Sequence, residues 1–100
     1  MTCYIAFPEY PAAAMPPLPM GWHDASWRHD ACPRYTRDDG RVSIWIDYPA
    51  AADRAFQGYP RFAVVIDDND GAGYGTDDWT DALAVADAVL PPPPPVLTLV

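Results

Sequence analysis

Two short stretches near the start of the chain each place a histidine three residues before a potential nucleophile. His23 precedes Ser26, and His29 precedes Cys32. On a helix such pairs share a face, and an imidazole beside a thiol can stabilise the attacking thiolate. His23, His29 and Cys32 are therefore candidates for a thiol- or metal-dependent activity. Pro33 follows Cys32 directly and the paired spacings of structural zinc sites are missing, so we favour a structural role for this segment.

Two loop patterns near residue 70 fall short of known ligand sites. Asp68, Asp70 and Gly71 fit part of an EF-hand calcium loop, but Ile66 stands where that loop requires its first acid. Thr76 stands where the third glycine of a dinucleotide-binding GxGxxG loop would have to lie. The sequence therefore predicts no cofactor, no metal site and no catalytic residues.

Charge is the most unevenly distributed feature of the chain. The chain of 100 residues has fourteen acidic and six basic residues, so its net charge is −8. Every basic residue is an arginine. Residues 62–100 contain seven aspartates and no basic residue, so this segment alone contributes −7. Such a balance argues against direct binding to nucleic acid or to anionic membranes, because both ligands attract basic surfaces.

The acidic segment predicts a surface that binds a basic surface of a partner protein. The candidate partner-binding residues are six aspartates and one tyrosine, which would serve as an aromatic anchor: Asp67, Asp68, Asp70, Tyr74, Asp77, Asp78 and Asp81. The basic surface could be one that normally holds nucleic acid, so we predict an inhibitor with no enzymatic activity. A purely solubilising role for the acids is the alternative.

In size and charge the chain resembles the small inhibitor proteins that phages use against host nucleic-acid machinery, including DNA mimics and anti-CRISPR proteins. The resemblance covers no sequence motif. It implies competition with nucleic acid for a protein surface, which is the same function that the charge distribution indicates.

The cysteines and the first residues bear on the cellular compartment. Cys3 and Cys32 are too few for a disulfide scaffold, and we expect reduced thiols; a bridge between them would need an oxidising compartment. Residues 1–21 contain no basic residue and are interrupted by prolines, which is unlike an export signal. No stretch approaches the roughly 18 to 20 apolar residues of a membrane span. We therefore predict a soluble, cytoplasmic protein.

The elements that would position these residues form one α+β domain. Asp38, Asp39 and Gly40 predict a hairpin turn between strands at 34–37 and 41–48, and a third strand follows at 61–67. Apolar residues at helical spacing from Trp79 to Leu90, with Thr76 as the N-cap, predict a C-terminal helix. Residues 4–7 could add a short edge strand. We expect an antiparallel sheet of three or four strands with the helix packed on one face.

Proline-rich segments flank the predicted domain at residues 22–90. Residues 1–21 are expected to form an extended arm, and the five prolines 91–95 a stiff polyproline spacer. The spacer leads to an apolar, β-prone segment from Val96 to Val100. We expect this segment to pair with a sheet edge of the same molecule or of a neighbour, which would make a homo-oligomer. A structural or assembly protein that uses these arms is a further alternative.

Overall fold

The computed structural model describes residues 3–66 and 73–89. Within them no helix is long and apolar enough to span a membrane. Two single turns of 3-10 helix lie at Ala12–Ala14 and Ala51–Asp53. The helices and strands are α1 (Cys3–Ala6), β1 (Trp22–Asp24), β2 (Arg34–Arg37), β3 (Val42–Ile46), β4 (Phe62–Ile66), β5 (Gly73–Thr76) and α2 (Trp79–Val89).

The five strands form one antiparallel sheet in sequence order, so each strand pairs with its neighbour along the chain. The predicted hairpin turn is confirmed between β2 and β3, where Gly40 has a φ of 76°. Its N–H donates to the carbonyl oxygen of Arg37 at 2.8 Å. The α+β class is confirmed, and the expectation of three or four strands is too low. The two strands that were not predicted, β1 and β5, are short edge strands.

The strand register divides the sheet into two faces, which we call the closed face and the open face. On the closed face, Ile44 lies between its cross-strand partners Tyr35 and Val64, and all three are buried. On the open face, Ala63 lies between Trp45 and Gly75, and the row is only partly covered. Because side chains alternate along a strand, consecutive residues within β3 belong to different faces, and the same holds within β4.

Helix α2 covers the closed face beside β4 and β5. Ala82 and Ala86 are buried, and the Trp79 ring lies 5.3 Å from the ring of Phe62. The predicted C-terminal helix is therefore confirmed. Small residues at the contact allow the helix to approach the sheet closely, while Trp79 supplies most of the aromatic contact area.

The prediction that Thr76 is the N-cap of α2 is wrong. The helix begins at Trp79, and the Asp78 carboxylate accepts a hydrogen bond from the Thr80 N–H at 3.0 Å, which is the bond that an N-cap makes. Thr76 stabilises the turn before the helix instead, because its hydroxyl oxygen accepts a hydrogen bond from the Asp78 N–H at 3.1 Å. The aspartate thus satisfies a free N–H and also complements the helix dipole.

The segment before β1 completes the closed face. Ala6, Phe7 and Tyr10 belong to the buried core, and residues 4–6, which we expected in a strand, lie in α1 instead. Arg61 fastens this segment, because its Nη2 donates to the Tyr10 hydroxyl oxygen and to the Ala14 carbonyl oxygen, each at 2.7 Å. The division of the chain into arm, domain and tail stays a prediction, but the core includes residues from before β1.

Candidate functional site

Four of the predicted partner-binding residues lie together where β5 leads into α2, and we call Tyr74, Asp77, Asp78 and Asp81 the acidic corner. Tyr74 is 44% exposed. Its hydroxyl donates to Asp81 Oδ2 at 2.8 Å, and this hydrogen bond to a carboxylate raises the pKa of Tyr74. The bond joins the edge strand to the first turn of the helix and holds the aromatic ring beside the acids.

The other two acids of the corner also have structural partners. Asp77 Oδ1 accepts from the Arg61 N–H at 2.8 Å and lies 3.7 Å from Arg54 Nη1, while Asp78 caps α2. The Asp77 side chain nevertheless stays 71% exposed. The local fold thus accounts for the positions of these carboxylates, and solvent still has access to them.

Asp67, Asp68 and Asp70, the remaining predicted partner-binding residues, lie outside the described residues. The residues that flank this segment are Ile66 at the end of β4 and Gly73 at the start of β5. Gly73 pairs with Val65, whereas Thr76 pairs with Phe62. Ile66 and Gly73 therefore lie at one end of the β4–β5 pair, and Asp77 follows the other end.

The structure gives the thiol and imidazole candidates separate surroundings. Cys32 is a free, fully buried thiol, and burial together with the nearby Asp47 carboxylate raises its pKa to about 12. A thiolate nucleophile needs the opposite shift. His23 Nδ1 lies 2.9 Å from Asp38 Oδ1, and the His29 ring packs edge-on against Trp27. In residues 3–66 and 73–89 there is no group of three His, Cys, Asp or Glu side chains that could hold a metal ion.

The open face contains a groove that was not predicted from the sequence, and we call it the aromatic trough. It encloses about 500 Å³. Phe56 and Tyr59 at its wall are 51% and 68% exposed, which is unusual for large aromatic side chains. The lining of the trough includes four residues that we call its floor, Ala63, Val65, Gly73 and Gly75, and four larger residues that we call its walls, Trp45, Phe56, Tyr59 and Pro60; Tyr74 of the acidic corner also borders it.

A buried carboxylate holds the wall of the trough. Asp47 Oδ1 accepts from the N–H groups of Tyr48 and Ala55 at 2.8 and 2.9 Å, and Oδ2 accepts from Phe56 at 3.1 Å. Arg54 adds a donor to the same loop, since its Nη1 bonds the Tyr59 carbonyl oxygen at 3.1 Å. The position of the exposed aromatics therefore depends on polar bonds beneath them.

The floor leaves little room for a side chain at two positions of β5. A Cβ at Gly73 would lie 2.8 Å from the Val64 carbonyl oxygen, and one at Gly75 would lie 3.0 Å from Pro60 Cγ. Two glycines in a strand are a signal for close approach of another chain segment. That signal is present in the sequence, but glycine lowers strand propensity, so the sequence analysis predicts no strand at residues 73–76.

Comparisons of the chain with models of known families, with curated proteins and with solved structures found no match.

Proposed function

We propose that this chain is a non-enzymatic interaction protein whose acidic corner binds a basic surface of a partner protein. The observation that carries the proposal is the arrangement of Tyr74 and Asp81, which are hydrogen-bonded at 2.8 Å beside Asp77 and Asp78. An exposed tyrosine held rigidly among carboxylates has the chemistry of an anchor for arginine or lysine side chains.

The charge of the surrounding segment supports the same function. No basic residue occurs after Arg61 in the sequence, and the guanidinium of Arg54 forms a long ion pair with Asp77, at 3.7 Å between Nη1 and Oδ1. Because the pair is long and the Asp77 side chain is 71% exposed, we expect it to contribute only about 0.2 to 1 kcal/mol, so a partner's arginine can displace it. The long-range field of uncompensated acids mainly raises the association rate.

The class of partner that we propose is a protein whose basic surface otherwise holds nucleic acid. Such a surface carries a high density of arginine and lysine, and the acidic segment is complementary to it. Occupying that surface would exclude nucleic acid, so the proposed biological role is inhibition by competition. The proposal requires no cofactor and no reaction step.

The decisive variant replaces Asp77, Asp78 and Asp81 with asparagine. Asparagine keeps an oxygen at each position, so the N-cap and the bond from Tyr74 are preserved while three charges are lost. A matched control removes three charges elsewhere, with Asp30, Asp53 and Asp87 each changed to asparagine. A second variant changes Asp67, Asp68 and Asp70 and asks whether those acids belong to the same surface.

The measurement is capture of partners from the source cell, followed by association rates for each captured protein at increasing salt. We expect the wild-type chain and the control to capture the same proteins, and the corner variant to bind them with a lower association rate. Added DNA or RNA should compete with the wild-type chain. Equal capture and equal rates for the wild-type chain, the control and both test variants would show that the acids only solubilise the protein.

A further inference from the structure

The aromatic trough opens toward the edge of the sheet. Within the described part of the chain, β5 pairs with β4 alone and is the last strand of the sheet. Gly73 and Gly75 face the trough, because their cross-strand partners are Val65 and Ala63. A strand added beside β5 would therefore place alternate side chains next to two glycines, directly over the trough.

The chain contains a segment that suits this place. Residues 96–100 have the sequence VLTLV, which is uncharged and β-prone. Five residues in a strand extend about 17 Å, compared with about 14 Å for the four residues of β5. The side chains on either face of such a strand are apolar apart from one threonine, and they match walls made of Trp45, Phe56 and Tyr59.

The trough of the same molecule is poorly placed for this segment. Helix α2 ends at Val89 on the closed face, and Leu83 and Asp87 line a cavity with Gly21 and Trp22, at the β1 edge. The β1 edge is four strand spacings from β5, or roughly 19 Å, and the trough lies on the opposite face of the sheet from α2. A run of five prolines, as in the sequence of residues 91–95, has a polyproline II length of about 15 Å and resists sharp bending.

We infer that residues 96–100 of one copy pair with β5 of a second copy and fill its aromatic trough. The proline run spans the gap between the two molecules. An apolar segment that would otherwise meet water is thereby buried, together with the exposed rings of Phe56 and Tyr59. The contact is a β-strand addition, in which main-chain hydrogen bonds supply affinity and the trough supplies specificity.

The test uses full-length chains and sedimentation velocity over a range of concentrations. One variant removes the wall aromatics (Phe56→Ser with Tyr59→Ser), and another charges the tail (Leu97→Asp with Leu99→Asp). Trp27→Ser is the matched control, since Trp27 is 46% exposed and does not line the trough. We expect the wild-type chain and the control to associate as concentration rises, and each of the other variants alone to associate at least tenfold more weakly.

Mixing the two variants gives the sharpest result. The tail-charged chain keeps an intact trough, and the wall variant keeps an intact tail, so the mixture should form a one-to-one complex that neither forms alone. Circular dichroism confirms folding first, and Tyr59→Ser alone replaces the double variant if that chain unfolds.

Several outcomes would overturn the inference. If the wild-type chain is monomeric at every concentration, binding of the tail to a second copy is excluded. If the tail-charged variant then differs from the wild-type chain in tryptophan emission, the tail contacts its own molecule. A mixture that stays monomeric, while the wild-type chain associates, would assign association to another surface. Neither result affects the proposed role of the acidic corner, whose variant carries different substitutions.

Discussion

The two faces of the sheet are built from the same strands and differ in how far they are covered and in the interactions that stabilise them. On the closed face, Ile44 and Val64 are buried beneath α2 and the N-terminal segment. On the open face, Trp45 and Ala63 are only half-buried and border the aromatic trough. Alternate residues of β3 and β4 therefore face the core and the trough separately, because the side-chain period of a strand is two.

The difference also concerns the type of interaction. Apolar packing accounts for the closed face, whereas the shape of the open face depends on the hydrogen bonds that Asp47 accepts from Ala55 and Phe56. An open groove is not stabilised by side chains that fill it, so buried polar bonds beneath it supply the rigidity. Single substitutions can test this distinction, beginning with the one that should have the largest effect.

Phe62→Ala should destabilise the protein by about 3 to 5 kcal/mol. Phe62 is buried on the closed face, and its ring lies 5.3 Å from that of Trp79. Truncation removes apolar contacts and leaves a cavity that the sheet cannot close. Urea unfolding measures the change, and a loss below about 1 kcal/mol would contradict the view that packing on this face dominates stability.

Asp47→Ala should cost about 3 kcal/mol, since three backbone N–H groups lose their acceptor. We also expect it to release the loop that carries Phe56 and Tyr59, which faster amide hydrogen exchange in residues 54–60 would report. Asp53→Ala is the control, because Asp53 is an exposed aspartate in the same connection. Equal effects of the two substitutions would show that the buried carboxylate does not hold the trough wall.

Cys32 should make the protein less stable in alkali. The folded state raises the pKa of this thiol from 9.0 to about 12, so above pH 9 the unfolded chain ionises first and binds fewer protons than the folded chain. Between these values, stability falls as pH rises, by up to about 1.4 kcal/mol per pH unit. Below pH 9 both states keep the proton and no such loss occurs.

The comparison of wild type with Cys32→Ala isolates this effect, because the two chains differ only at this thiol. Unfolding free energies measured at about pH 8 and about pH 10.5 should decline more steeply for the wild-type chain. Parallel declines would mean that the thiol is not desolvated in the folded state.

Replacing the exposed aromatics of the open face should have the smallest effect on stability. Phe56→Ala and Tyr59→Ala remove rings that are 51% and 68% exposed, so each should change the unfolding free energy by less than about 1 kcal/mol. Thermal or urea unfolding measures it. A loss as large as that for Phe62→Ala would mean that the trough wall belongs to the core.

Elements with strong local signals were predictable from the sequence. The hairpin turn before β3 required only Asp-Gly between two alternating strands, and β4 and α2 followed from their apolar periodicity. β1 and β5 had no comparable signal, because a three-residue strand and the sequence GYGT are stabilised by pairing rather than by propensity. The same distinction applies to the two candidate surfaces. The acidic corner was predictable from residue types, whereas the trough depends on the pairing of β4 with β5.

The sequence by itself determined the charge asymmetry, the alternation of β3 and β4 and the apolar stripe of α2, because these depend on residue type and short spacing. Tertiary structure alone decided which acids have partners. Asp47 is buried under three N–H donors, while Asp77 stays largely exposed beside Arg54. It also placed Tyr10 against Arg61, fifty-one residues away in the chain. Such contacts depend on how distant segments meet, and no local pattern encodes the neighbours that a side chain acquires when the chain folds.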